Sequence, residues 1–253
     1  MPFDPLKMAD RVEAEVYRER GGVPERKYWR FRWSRHYGGN VAGDVVGCNL
    51  RCAFCWAWMF AFDTRPGRFY SPSRAVGEIL SRGPFRVARL TGGEPTIGWP
   101  HTRLVAQAVL ARGRLFVLET NGILIGAGRV PVEEIPSGVF VRVSIKAPTP
   151  EWFERITGAQ PGAWHLQLAA LERLLEAGLE PGVDFRAAVS IIPGLRKEYK
   201  FLVEKLASID ERLVETLEPE PITVYRHVRG LLKARRLLHL FEEDAQTRRG
   251  ATG

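Results

Sequence analysis

Apolar positions recur in two rhythms along most of the chain. Short β-branched or apolar runs stand at 43–47, 86–91, 115–119, 139–145, 185–192 and 213–217, and each reads as a strand. Between them lie stretches with helical spacing at 73–81, 102–112, 150–157, 164–177 and 195–208. In the stretch 164–177, Leu166, Leu168, Leu171, Leu174 and Leu175 form an apolar stripe near helical period. Apolar strands that alternate with helices predict a parallel sheet covered by helices. Six such units make an open or incomplete (β/α)6 barrel, an α/β fold whose functional groups gather at the C-terminal ends of the strands.

Upstream the pattern differs. Residues 9–20 read as a helix that Gly21-Gly22-Val23-Pro24 breaks. Trp29, Phe31 and Trp33 then alternate with Arg30, Arg32 and Ser34, which is strand periodicity with one aromatic and one cationic face. The expectation is an edge strand with its aromatic face on the core. Basic residues interleaved with aromatics are also what single-stranded nucleic acid binds. Downstream, Pro219 and Pro221 mark a turn. A basic amphipathic helix over 226–241 follows, with leucines at 231, 232, 237, 238 and 240 placed to close the open side of the barrel. The last ten residues read as a frayed end. The organisation expected is an N-terminal extension over 1–39, a partial barrel over 40–218 and a C-terminal helical extension over 219–253.

Composition changes this picture in two places. Seven Lys/Arg against two Glu in residues 18–36, and seven against three acids in 226–253, carry the net charge of +8, so the body between is near neutral. Basic ends fit a polyanion such as RNA, or solvated charge that keeps the protein soluble. With 45% hydrophobic and 26% charged residues the chain is globular rather than disordered. Its longest apolar run, 52–62, is too short to span a bilayer, and the N-terminus lacks the apolar core of a signal peptide, so the expectation is a cytoplasmic protein without a membrane partner.

The second place is the set of three cysteines, Cys48, Cys52 and Cys55, all inside GCNLRCAFC. An odd number without signs of secretion argues against disulfides. Structural zinc takes four ligands, and no histidine stands near enough in sequence to complete a set. Iron–sulfur clusters are usually held by four thiolates; three on a four-iron cluster leave one iron open for chemistry. The barrel rule then tests the remaining strand ends. Thr91-Gly92-Gly93-Glu94-Pro95 follows the second strand, Glu119-Thr120-Asn121-Gly122 the third, Ser144 and Lys146 end the fourth, and Ile191-Ile192-Pro193-Gly194 ends the fifth. Each is a polar or turn sequence where a ligand would sit.

The spacing Cys48-x3-Cys52-x2-Cys55, with Phe54 before the last cysteine, resembles the radical S-adenosylmethionine superfamily, and the resemblance runs over roughly residues 40–218. It implies a [4Fe-4S] cluster on Cys48, Cys52 and Cys55 whose open iron binds the amino and carboxylate groups of S-adenosyl-L-methionine. Reductive cleavage then yields a 5′-deoxyadenosyl radical that abstracts hydrogen from a substrate. Phe54, Gly92, Gly93, Glu94, Thr120, Asn121, Ser144, Lys146, Ile192 and Pro193 are the cofactor contacts it implies. Gly92-Gly93-Glu94 would meet the methionyl amino group through exposed peptide groups and a carboxylate. Ser144 and Lys146 would meet the ribose and carboxylate, and 191–194 the adenine. Trp56, Trp58 and Phe60 would shield the cluster, and an external reductant such as flavodoxin or ferredoxin would supply the electron.

The order of these motifs is most similar to activating enzymes of glycyl-radical proteins, which implies a partner-protein substrate. The chain departs from them at Trp56-Ala57, where His-Asn is frequent, and at Glu119 and Ser144, where Asp is common. An RNA-modifying radical enzyme is the alternative that the basic ends favour, and a nucleic-acid-binding protein with a structural cluster is a third. Three cysteines, all in one motif, leave no thiolates for an auxiliary cluster or for a further catalytic cysteine. Tyr225 and His227, just past the sixth strand, are the residues expected to approach the barrel mouth as catalytic candidates.

Overall fold

The computed structural model describes residues 1–242. The chain begins with α1 (Pro5–Val16), capped by Asp4, whose carboxylate accepts from the Leu6 amide at 2.8 Å. Pro5, Ala9, Val12 and Val16 form its buried stripe. Residues 17–20, expected to continue this helix, instead form β1 (Tyr17–Arg20), an antiparallel hairpin with β2 (Val23–Ser34). Gly21 and Gly22 both take positive φ, 58° and 75°, which suits a two-residue hairpin turn; the glycine pair therefore reverses the chain rather than merely ending a helix.

The repeating part follows. It runs β3 (Asn40–Val45), α2 (Trp58–Ala61), β4 (Arg68–Tyr70), α3 (Pro72–Leu80), β5 (Val87–Gly92), α4 (Trp99–Leu110), β6 (Leu115–Thr120), α5 (Ile123–Gly126) and β7 (Val139–Ile145). It continues through α6 (Pro150–Thr157), α7 (Ala163–Glu176), β8 (Phe185–Ile191), α8 (Tyr199–Ile209), α9 (Glu211–Glu215), β9 (Glu218–Pro221) and α10 (Arg229–Ala234). Among the described residues the strands form one sheet in the order β1-β2-β3-β5-β6-β7-β8-β9, with β4 beside β2. The six strands from β3 to β9 on this path are mutually parallel, and the ladder ends at β9 without returning to β1. This is the incomplete (β/α)6 barrel.

The sixth strand lies later than expected. Residues 213–217 fall largely in α9, and the strand is Glu218-Pro219-Glu220-Pro221. A strand with two prolines is tolerated because β9 pairs only with β8 and can do without their missing N–H donors at the sheet edge. On β2, a register shift between Tyr28 and Arg30 breaks the expected aromatic face. Phe31 is buried, while Trp29 and Trp33 are about half exposed. The basic helix expected over 226–241 is also interrupted: α10 stops, Arg236 takes φ 56°, and Leu238–Phe241 form a short 3-10 turn. Leu232, Leu237 and Leu240 are buried, with Leu240 against Gly194 and Phe241 beside Phe54. They thus seat this segment on the turn after β8. The frayed end expected for the last ten residues lies outside the described residues.

Alternation along each strand divides the sheet into two faces. Val41 and Val45, Ala88 and Leu90, Phe116 and Leu118, Val141 and Val143 and Phe185 and Ala187 are buried on the outer face, which helices cover. The residues between them turn to the concave side and carry the polar groups described next.

Candidate active site

The cysteine loop leaves β3 at Val46-Gly47 and is held by backbone bonds from both sides. Gly47 and Cys48 donate to Phe60 O and Ala61 O, both at 2.9 Å. Arg51 and Ala53 donate to Thr157 O and Ile156 O at the end of α6, at 3.1 and 2.8 Å. The loop is therefore fixed by α2 and α6 before any metal arrives. All three cysteines line one cavity of about 670 Å³ at the C-terminal ends of the parallel strands.

The loop after β5 is stitched to the same strand end. Gly93 N donates to Val45 O at 2.8 Å and Glu94 N to Gly47 O at 2.9 Å. A side chain at Gly93 would bring its Cβ to 2.1 Å from Gly47 O, so only glycine fits this approach. The expectation that peptide groups here stand exposed is thus corrected for these two N–H groups, which the neighbouring loop consumes. Glu94 is buried and its carboxylate accepts four bonds: Thr96 N at 3.1 Å, Thr96 Oγ1 at 2.6 Å, Thr120 Oγ1 at 2.7 Å and Asn121 N at 2.8 Å. Asn121 in turn donates through Nδ2 to Asn49 Oδ1 at 2.7 Å and lies 4.0 Å from Cys48 Sγ, which also receives the Leu50 amide at 3.4 Å. The motifs after β5 and β6 thus form one hydrogen-bonded unit with the first cysteine.

Ser144 and Lys146 close the other side. Lys146 Nζ donates to Ser144 Oγ at 2.5 Å, and Ser144 Oγ donates to Glu220 Oε2 at 3.1 Å. Lys146 and Arg142 hold the Glu220 carboxyl below its ordinary value despite the opposing effect of burial. Tyr225 and His227 do reach the mouth: their rings stack at 5.6 Å, and His227 Nε2 donates to Trp56 O at 2.9 Å. Phe54 lines the cavity as well, and Trp56 meets Phe60 edge-on at 5.9 Å. Ile192 and Pro193 do not line it; Ile192 is fully buried and its amide donates to Tyr199 Oη at 2.8 Å.

A second set of residues was either missed, as Arg89, Arg142, Glu218 and Glu220 were, or noted without a place in this site, as Arg30, Arg32 and Glu119 were. Arg30, Arg32, Arg89, Arg142, Glu119, Glu218 and Glu220 also line the cavity. Arg89 pairs with Glu119 at 2.6 Å, and Tyr37 Oη donates to the same oxygen at 3.0 Å. Arg142 bridges Glu218 and Glu220 at 2.8 and 3.3 Å. For Arg89, Arg142 and Glu119 a signal was present, since each sits at an alternate position of a strand whose neighbouring positions are buried and largely apolar; Glu218 and Glu220 alternate with exposed prolines and carried none.

A model of the radical SAM superfamily matches residues 44–208. The chain belongs to the radical SAM superfamily. It is similar to the 7-carboxy-7-deazaguanine synthase of Methanospirillum hungatei, with 28% identity over 44% of this chain and 44% of that protein. It is also similar to the probable GTP 3′,8-cyclase of Aeropyrum pernix, with 35% identity over 54% of this chain and 39% of that one. The chain spans about half or less of these curated relatives. Among solved structures, TYW1 with a lysine–pyruvate adduct shares the fold, with a TM-score of 0.55 at 17% identity over 94% of this chain and 89% of that one.

Enzymes of this superfamily use a [4Fe-4S] cluster and S-adenosylmethionine, and the residues present fit both. Sulfur is the donor type such clusters take. Among the described residues no three His, Cys, Asp or Glu side chains converge as ligands to a single ion would. Ligands to a multi-iron cluster each take a different iron, so they need not converge. Burial pushes the Cys48 thiol up to about 12, with the Glu94 carboxylate adding to the rise. Burial raises Cys52 and Cys55 too. Bare thiolates are disfavoured here, and a bound cationic cluster is what would draw the protons off.

Proposed function

We propose that the chain is a radical SAM enzyme acting on a small polar substrate held inside the barrel. When bound, the cluster and S-adenosylmethionine supply a 5′-deoxyadenosyl radical. The chain's own residues then have three tasks. Cys48, Cys52 and Cys55 hold the cluster, with no fourth cysteine in the chain to occupy the remaining iron. Carbonyl oxygens of the loop after β5 would accept from the methionyl ammonium, which brings only donors and so needs acceptors there. Lys146, positioned by Ser144, supplies a cation for the cofactor carboxylate. Trp56, Phe60 and the segment carrying Tyr225 and His227 limit water at the mouth.

The observation that carries the substrate size and polarity is the charged concave face. Ion pairs line a cavity of about 670 Å³ that opens directly on the cysteines. A cavity of this kind suits a molecule rich in hydrogen-bonding groups. The names of the two relatives carry a guanine skeleton, as deazaguanine in one and GTP in the other. A guanine-related heterocycle, as the compound made in the first name and the compound acted on in the second, is the chemical class this supports. Activation of a partner protein, read from the motif order, has no comparable feature in its favour. The test is anaerobic reconstitution with iron and sulfide, followed by dithionite and S-adenosylmethionine. Formation of 5′-deoxyadenosine, stimulated by GTP or another guanine derivative, is the expected result. A reconstituted protein that cleaves no S-adenosylmethionine would remove the proposal.

A further inference from the structure

We propose that Arg30 and Arg32 are an anion clamp for the substrate, which carries a carboxylate or phosphate group that docks on them beside Trp56. The inference rests on the barrel cavity being the reaction chamber. It begins from a charge count. Both guanidinium groups bond through Nε to a single oxygen, Asp44 Oδ2, at 2.8 and 2.9 Å. Asp44 is fully buried, and among the described residues neither arginine has a second acidic partner. Two cations share one anion, which leaves one positive charge in excess. The other cavity arginines are balanced differently: Arg89 has Glu119, and Arg142 has two acids, Glu218 and Glu220. The excess is therefore local to β2.

Geometry adds direction. Arg30 and Arg32 are two residues apart on one strand, so both project to the same face, and both line the cavity. Each spends only its Nε on Asp44. The terminal amino groups, which carry the other four N–H donors of a guanidinium, make the planar fork that matches a carboxylate or phosphate. Asp44 fixes the base of each fork, so ordering the side chains on binding costs less entropy than for a free arginine. The side chains keep 49% and 25% of their exposure, enough to meet a solute. The Arg32 guanidinium lies 5.2 Å over the Trp56 ring, and Trp56 directly follows Cys55. An anion held here places the rest of its molecule along the cysteine loop, where hydrogen abstraction would occur.

Trp56 also provides the readout. Cluster-loaded protein is titrated with inorganic phosphate and, separately, with succinate, and tryptophan emission is followed. A saturable change with at least one anion is expected. A response to phosphate marks a phosphorylated substrate, and a response to succinate a carboxylated one. Arg30→Gln and Arg32→Gln should each weaken binding about tenfold or more, as loss of hydrogen bonds to a charged group does. Arg32→Lys keeps a cation on Asp44 and so guards against misfolding, yet should still bind several-fold more weakly because an ammonium lacks the fork. Arg112→Gln, at an exposed position past α4, should leave binding unchanged. The clamp is overturned by no saturable response to either anion, by wild-type affinity in Arg32→Gln, or by competition between the anion and S-adenosylmethionine. None of these readouts depends on deoxyadenosine formation, so the clamp can fail while the radical chemistry stands, and the reverse.

Discussion

Two faces of one sheet do different work. On β7 the outer positions Val141, Val143 and Ile145 are fully buried beneath helices, while Arg142 and Ser144 between them, and Lys146 just past the strand, line the cavity. The same alternation sets Leu118 against Glu119 on β6 and Leu90 against Arg89 on β5. Interiors of closed barrels of this type are filled by layers of branched apolar side chains. Here the concave side holds ion pairs instead. Buried ion pairs add little net stability, because desolvation offsets their attraction. Stability therefore does not account for them, whereas a polar ligand does. The outer face makes the fold, and the inner face is released to make the site.

The largest effect expected on either face is that of Cys52→Ala. It removes a proposed cluster ligand, so the brown absorbance after iron and sulfide loading and all 5′-deoxyadenosine formation should be lost. The metal-free chain should lose only about 1 kcal/mol in denaturant unfolding, the ordinary cost of a small change at a buried site. The mirror experiment is Phe116→Ala on the outer face, where the ring is 1% exposed. It should cost about 3–5 kcal/mol through cavity formation, while the folded fraction keeps wild-type cluster loading. If Phe116→Ala instead left stability intact and destroyed cluster loading, the division between the faces would be broken.

That division also explains what the sequence made legible. Short apolar and β-branched runs located four of the six parallel strands closely and the first only in part, 43–47 expected against Asn40–Val45 found, because the buried outer positions have no other use than packing. The sixth failed because Glu218-Pro219-Glu220-Pro221 buries nothing apolar; it is an edge strand defined by pairing with β8 and by carboxylates turned inward. The three cysteines and the glycine-rich turns were visible because their residue types are rare and their spacing local. Arg89, Arg142 and Glu220 were not, since a charge in a sequence reads as solvated until the sheet curves around it; Arg30 and Arg32 were visible as a cationic strand face but not as part of this cavity. Glu94 was visible as a residue but not in its bonding, which depends on Thr120 and Asn121 arriving from the next strand.

His101 on α4 probes the outer face by pH. It is fully buried, with Nδ1 3.2 Å from Pro24 O and Nε2 2.9 Å from Tyr28 Oη. A carbonyl only accepts, so Nδ1 carries the proton and Nε2 accepts from the tyrosine. Burial brings the imidazole down from 6.5 to about 4; the hydrogen bond to the Pro24 carbonyl opposes it, Arg26 nearby adds a smaller push downward, and Glu25 a still smaller one upward. Between these two values the unfolded chain binds a proton that the folded chain does not, so stability falls as pH drops from 6.5 toward 4. The loss should be about 3 kcal/mol. His101→Gln should flatten that part of the stability–pH curve; a curve equally steep in the variant would assign the loss to other groups.

The smallest effect expected is also the one that tests the boundary between the faces. Glu94 belongs to the cavity wall, yet it is 2% exposed and accepts four donors from its own chain, three on Oε1 and one on Oε2. Glu94→Gln keeps the shape and removes the charge. An amide oxygen in place of Oε1 can still accept from the Thr96 amide and from the Thr96 and Thr120 hydroxyls. The amide nitrogen then replaces Oε2 and faces the Asn121 N–H, donor against donor, at a separation of 2.8 Å. One buried donor is left without an acceptor, which costs about 2 kcal/mol. The strain passes through Asn121 to Asn49 and the surroundings of Cys48, so cluster occupancy should fall together with stability in denaturant unfolding. A cost below ~0.5 kcal/mol, the range of plain surface substitutions, would mean that Glu94 is free to rearrange. It would then act only on a bound ligand, and the inner face would contribute nothing to holding the barrel together.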